Sequence, residues 1–199
     1  MLASANLSAR LADKGAGIST ASKQYDTELT EKLTAQDYSK KPIIDGVKII
    51  ELKTFTGEDG YFMELARLNE ENRILGIEEF QVKQASFSVV QSGGIKAWHI
   101  HLNQEDIWFV HPDSQLLVGL YDLRKDSLTK GTQMRLTLGN HKSLLLLIPR
   151  GVAHGCANIS PLPTTMIYFT NQHFSINSPD EYRLPWDSFG EDFWKMTKG

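Results

Sequence analysis

An antiparallel all-β barrel or sandwich is the fold this sequence predicts, and three observations carry it. First, from Ile43 onward short apolar runs recur, at residues 81–90, 95–101, 107–111, 116–123, 134–138, 144–148, 153–159 and 165–170. Second, turn-forming residues separate them: Pro112-Asp113, Lys130-Gly131, Gly139-Asn140 and the proline pair Pro161 and Pro163. Third, little of this region has the period of an amphipathic helix. Many short strands with little helix imply antiparallel sheets packed or closed on one another.

Taken in order, residues 1–42 read as an appended arm. Residues 1–23 are rich in Ser and Ala and poor in acids, a composition expected of a disordered tail. Residues 26–38 (DTELTEKLTAQDY) are expected to form one short helix, with Thr27, Thr30 and Glu31 at its start. Pro42 marks the boundary, so the expected domain is 43–199. Val47, Ile49 and Leu52 open that domain, and the GEDG turn at 57–60 leads into Tyr61, Phe62 and Met63. Residues 65–75 predict a short helix stopped by Gly76. The eight runs then form the body. The last stretch, 185–199, carries Trp186, Phe189, Phe193 and Trp194, and so many aromatics should pack against the sheets.

Composition narrows the function. At 199 residues with 41% hydrophobic content, the chain can bury one real core. A net charge of −3 gives no electrostatic case for nucleic acid. No apolar run reaches the length of a membrane span, 144–148 being only a strand. Cys156 is the sole cysteine, so there is neither a disulfide framework nor a thiolate metal cluster, and beside Gly155 it reads as a small buried hydrophobe. The N-terminus lacks the apolar core of a signal peptide, and the expected compartment is the cytoplasm.

The chemistry concentrates in residues 93–110, GGIKAWHIHLNQEDIWFV. On a strand, His99 and His101 point the same way, together with Ala97, and strict alternation puts Lys96 on the opposite face. Two neighbouring imidazoles are costly to bury without partners, so the pair marks a site. Gly93, His99, His101 and Glu105 form G-x5-H-x-H-x3-E, and Pro149, Gly151, His154 and Asn158 form P-x-G-x2-H-x3-N. These resemble the paired motifs of the cupin superfamily, whose fold is a double-stranded β-helix, or jelly-roll barrel. That resemblance implies a metal reading, with His99, His101, Glu105 and His154 holding Fe, Ni, Mn or Zn. A shifted register would substitute Asp106 for Glu105.

A second resemblance spans about residues 43–194. GEDGYFMEL (57–65), Gln84-x-Ser86-x-Ser88, GIKAWH (94–99), LYDLRKDSLTKG (120–131), IPRGVAHG (148–155), and Tyr168 followed by Phe174, Glu181 and Trp186 are together similar to the dTDP-4-dehydrorhamnose 3,5-epimerase family, itself a cupin. The resemblance implies proton abstraction beside the C4 ketone of a 4-keto-6-deoxy sugar, probed by a base and an acid and needing no metal. On this carry-over His99 is the base and Tyr168 the acid. Gln84, Ser86, Lys96, His154, Phe174 and Glu181 become substrate-binding residues, the last two near the nucleotide base. A neutral imidazole suits the first step and a phenol the second. The resemblance also implies a homodimer with crossing N-terminal strands.

Departures from the family pattern are visible. Lys96, Asp59 and Ile107 stand where the family has basic residues that hold phosphate, and His101 stands where it has glutamine. The aspartate that orients the base lies, in the family, beyond the final tryptophan, and Asp187 and Asp192 are the acids near that position here. Three functions therefore follow: a sugar epimerase, a metal-dependent cupin oxygenase or isomerase, and a non-catalytic sugar-binding cupin. The first two compete for His99. The bland readings are a polar turn for Glu105, core or subunit-interface positions for Trp98 and Trp108, and surface positions for His111, His141 and His173.

Overall fold

The computed structural model describes Glu28 and residues 31–39 and 41–197. From Lys41 the chain is built of strands: β1 (Lys48–Glu51), β2 (Thr54–Gly57), β3 (Gly60–Met63), β4 (Arg73–Ile74), β5 (Ile77–Gln81), β6 (Gln84–Val90) and β7 (Ile95–Ile100). They continue as β8 (Asp106–Val110), β9 (Gln115–Asp122), β10 (Gln133–Gly139), β11 (Leu144–Ile148), β12 (Val152–Ala157), β13 (Thr164–Thr170) and β14 (Tyr182–Arg183), followed by a 3-10 turn at Glu191–Trp194. Each of the eight expected runs overlaps one of the strands β6 to β13, with ends that differ by up to three residues. Two five-stranded antiparallel sheets result, in the orders β1-β11-β8-β13-β6 and β10-β9-β12-β7-β14, with β2 and β3 forming a hairpin apart from them. This is the cupin jelly roll.

Side-chain alternation divides each sheet into an inner and an outer face. Between the sheets, Trp108, Val110, Leu146, Ile148 and Met166 of the first meet Leu116, Val118, Leu120, Leu138 and Val152 of the second. On the outer face of the first sheet, Ile107, Phe109, Leu145 and Leu147 are covered by Ile74, Ile77 and Phe80. Both faces of β8 and β11 are thus buried, which is why β11, and β8 after Asp106, are apolar without a break. The outer face of the second sheet carries Trp98, Leu117, Ala153 and Ala157 under Phe189, Phe193 and Trp194. Trp98 meets Phe189 and Phe193 edge-on, each with ring centroids 4.9 Å apart. Gly119 makes this fit, since a Cβ there would lie 2.6 Å from the Trp98 ring. The aromatic tail packs as its composition predicts.

The two expected helices fare differently. Residues 65–75 form no helix: Leu65 and Ala66 lie against the outer apolar layer, and 73–74 become β4. The polar run at 69–72 explains it, because Asn69 Oδ1 accepts from the backbone N–H of Glu71 (3.0 Å) and Arg73 (2.9 Å), a local turn that competes with helix. Of the expected helix at 26–38, Glu28 is helical, 31–32 form a turn and 33–38 no regular element, while 26, 27, 29 and 30 lie outside the described residues. The expected tail 1–23 also lies outside them.

Candidate active site

Adjacent strands β7 and β12 bring the two histidine motifs together. His154 pairs with His99 and Cys156 with Lys96, so a step of two residues on β12 spans three on β7. That β-bulge overturns two expectations from strict alternation. Lys96 turns to the cavity side with His99, and Ala97 leaves it to join Trp98 in the outer aromatic layer. Opposite the bulge sits Gly155, where a Cβ would lie 2.5 Å from that of Ala97. Only glycine allows so close an approach.

The cavity has a volume of about 580 Å³, in the range of small-molecule sites. Lys96, His99 and His154 line it from one sheet, and Gln84, Trp108 and Tyr168 from the other. His99 and His154 stack with ring centroids 6.1 Å apart and an interplanar angle of 15°. Lys96 donates to Ser88 Oγ at 2.6 Å. Cys156 also lines the cavity, with burial pushing its thiol up to about 12, so it is no nucleophile near neutral pH.

His99 Nδ1 lies 3.1 Å from Glu181 Oε1. With the proton on Nδ1, that nitrogen donates to Glu181 and Nε2 keeps its lone pair. Burial holds the His99 imidazole below its ordinary value; Glu181 pulls the other way, while Arg183 and His101 reinforce the lowering. Glu181 is itself held low: burial opposes its ionisation, but hydrogen bonds from Arg183 Nε (3.0 Å) and Nη2 (2.6 Å) outweigh that. A neutral imidazole oriented by an ionised carboxylate is a competent general base. Glu181, expected near a nucleotide base, is thus the carboxylate on the imidazole. Asp192 pairs with Lys195 instead, at 2.5 Å.

Residues 171–184 arch across the cavity mouth, and two contacts pin them. The Asp180 carboxylate accepts from the backbone N–H of Leu102 (3.0 Å), Asn103 (2.7 Å) and Gln104 (2.8 Å). Gln84 Oε1 accepts from Phe174 N at 3.1 Å, while its Nε2 donates to Ser86 Oγ at 3.1 Å. Phe174 and His173 line the cavity mouth; His173 is exposed, as expected of a surface residue, and so are His111 and His141, which do not line the cavity. Asp180 escaped the sequence reading because its partners are backbone groups, which carry no side-chain signal.

Deeper in, His101, Asp106 and His154 are buried and bring one ligand atom each within 4.8 Å of one another. The expected metal set of His99, His101, Glu105 and His154 is not what converges. His99 is held by Glu181, and Glu105 lies outside the cluster, its Oε2 accepting from Asn171 Nδ2 at 3.1 Å. Glu105 precedes β8, whereas Asp106 starts it with an inward side chain, so the one-residue shift selects Asp106.

The sequence profile of the family described as dTDP-4-dehydrorhamnose 3,5-epimerase matches residues 41–190. The spore coat polysaccharide biosynthesis protein SpsL of Bacillus subtilis is 45% identical over 145 residues, covering 73% of this chain and 91% of that protein. Among solved structures, a dTDP sugar isomerase from Desulfovibrio desulfuricans superposes with a TM-score of 0.63 at 26% identity, covering 77% of this chain and 91% of that one. The dTDP-6-deoxy-D-glucose-3,5-epimerase RmlC of Legionella pneumophila, in complex with dTDP-4-keto-L-rhamnose, gives a TM-score of 0.66 at 25% identity, covering 79% and 83%.

Proposed function

This chain belongs to the dTDP-4-dehydrorhamnose 3,5-epimerase family, an assignment that makes it a sugar epimerase or isomerase, and from that premise we propose that it epimerises a nucleotide-linked 4-keto-6-deoxy sugar by proton transfer at carbon. The observation that carries the reading is the His99–Glu181 pair facing a cavity shared with Tyr168. His99 Nε2 takes the proton from the carbon next to the ketone. The C–H electron pair moves into an enolate, with negative charge on the C4 oxygen. Tyr168 O–H then returns a proton to the opposite face of that carbon, inverting it. Glu181 keeps the His99 ring in one tautomer and stabilises the imidazolium that forms.

Lys96, reaching the cavity through the bulge, is the cation offered to the substrate's phosphate, and as a lysine it makes a point contact without a bidentate fork. Strand β6 turns Gln84, Ser86 and Ser88 inward and exposes Phe87 (72%) and Val89 (40%) at the sheet edge. That inverted pattern supports a second copy of this chain as the cover of the edge, and light scattering of the purified protein should read a dimer.

The reaction test is solvent exchange. In deuterium oxide, the enzyme should incorporate deuterium from solvent at C3 or C5 of dTDP-4-keto-6-deoxyglucose, read by proton NMR. Folded wild-type protein that incorporates none would sink the reading and leave sugar binding without catalysis.

A further inference from the structure

His101, Asp106 and His154 take no part in that proton transfer, yet they are 7%, 4% and 2% exposed. Their hydrogen bonds fix what faces what. His154 Nδ1 donates to the Val152 carbonyl at 3.0 Å, and His101 Nδ1 donates to the Asp180 carbonyl. With both protons on Nδ1, each ring presents a lone pair at Nε2. These lone pairs point at Asp106 Oδ2, 3.7 Å from His154 and 3.9 Å from His101. Both gaps exceed a hydrogen bond. Asp106 is aimed by Gln104 Nε2 at 2.8 Å on Oδ1 and by Trp108 Nε1 at 3.1 Å on Oδ2. Gln104 also comes within 3.4 Å of His101 Nε2, but among the described residues no donor reaches His154 Nε2. The three acceptors converge at the cavity wall, and a cation placed among them would meet all three.

We propose that His101, Asp106 and His154 bind one divalent first-row transition-metal ion. Two imidazoles and a carboxylate are a ligand set such ions favour, and three protein ligands leave coordination positions open. Ligands about 2.0–2.1 Å from a tetrahedral ion lie roughly 3.4 Å apart, so the Asp106 gaps of 3.7 and 3.9 Å need to close by about 0.3 and 0.5 Å, and the two imidazoles, within 4.8 Å, by at most about 1.4 Å. The open positions give onto the cavity, and Trp108 walls the site, edge-on to His154 at 5.3 Å. His99 is not among the ligands, since the atoms that converge belong to His101, Asp106 and His154 alone. Base and metal therefore coexist in one site instead of competing for one imidazole. A role for the ion rests on the epimerase reading: held by these three residues, it would act as a Lewis acid toward a substrate oxygen in the cavity. Its binding does not rest on it.

The test uses Co2+ as a visible probe. Full-length protein is freed of metal with a chelator and titrated with Co2+, following d–d absorption. One equivalent per chain is expected. His101→Gln and Asp106→Asn should each weaken binding by about 100-fold or more, since even groups that only support a ligand cost 10–100-fold. His99→Asn and Glu105→Gln should bind as wild type. Thermal melts confirm that each variant is folded; should Asp106→Asn fail to fold, His101→Gln decides. Absence of stoichiometric binding, binding that survives in folded His101→Gln, or binding lost in His99→Asn overturns the proposal. Co2+ binding without solvent exchange would end the epimerase reading alone, and exchange without Co2+ binding would end the metal site alone.

Discussion

The two faces of β7 divide the work of the molecule. On the outer face Trp98 is wholly buried among Phe189, Phe193 and Trp194, and its Nε1 donates to the Trp186 carbonyl at 3.0 Å. On the inner face, the next residue, His99, is only partly buried and meets a carboxylate. One face is aromatic and fully satisfied; the other holds groups whose proton affinities are displaced. Neighbouring residues on one strand thus have separable consequences. The outer face should govern folding and the inner face turnover.

The largest expected effect lies on the inner face. His99→Asn should lower solvent exchange by about 10²–10⁴-fold, the usual worth of a general base, with little change in melting temperature. Calorimetry alongside NMR exchange checks both halves, and a large loss of stability would break the division. On the outer face, Trp98→Ala should cost about 3–5 kcal/mol of folding stability, measured by denaturant unfolding. Activity per folded molecule should fall far less than in His99→Asn. Should Trp98→Ala fold well and lose turnover instead, the faces are not separable.

Much of this arrangement was legible in the sequence because it depends on period and punctuation. The runs forming β6 to β13 stand between turn residues, and apolar runs such as 144–148 announce strands buried on both sides. The convergence of His99 and His154 was legible for the same reason, since two motifs fell on strands that pair directly. Side-chain direction at Lys96 and Ala97 was not, because a bulge is set by how two strands fit and Gly155 alone does not announce it. Glu105 was favoured over Asp106 by motif spacing, although a one-residue step reverses which side chain enters a barrel. Asp180 and the role of Glu181 depend on where residues 171–184 cross the cavity mouth. No local pattern encodes that path.

A smaller effect tests how the inner face is assembled. Asp180→Asn removes the carboxylate that three backbone N–H groups hold over the cavity mouth. Burial would raise the pKa of Asp180, but those hydrogen bonds pull it below the ordinary carboxylate range. A lowered folded-state pKa means that the unfolded chain binds the proton more readily, so stability rises with pH through that window. The contribution is present above the unfolded value, near 4, and is lost as pH falls through the folded one. Allowing for solvent, Asp180→Asn should cost about 1–2 kcal/mol at pH 7 and nothing once the wild-type carboxylate is protonated. Denaturant unfolding at several pH values reads this, and a cost that persists at acid pH would mean the carboxylate's charge is irrelevant.

The smallest effect discriminates most finely. His99 is faced by Glu181 and Arg183 from the arching segment and by His101 and His154 from the sheet. Glu181 favours its protonated form and Arg183 disfavours it. Removing a negative neighbour lowers an imidazole pKa further, and removing a positive one raises it. Glu181→Gln should therefore move the acid limb of kcat/KM to lower pH, while costing about tenfold in kcat because the ring loses its oriented tautomer. Arg183→Gln should move the same limb to higher pH at nearly unchanged KM. A role confined to packing would shift neither limb, or both in one direction. Opposite shifts would mark the inner face of β7 as an electrostatic device, in which the carboxylate orients the base and the guanidinium keeps that carboxylate from overcharging it.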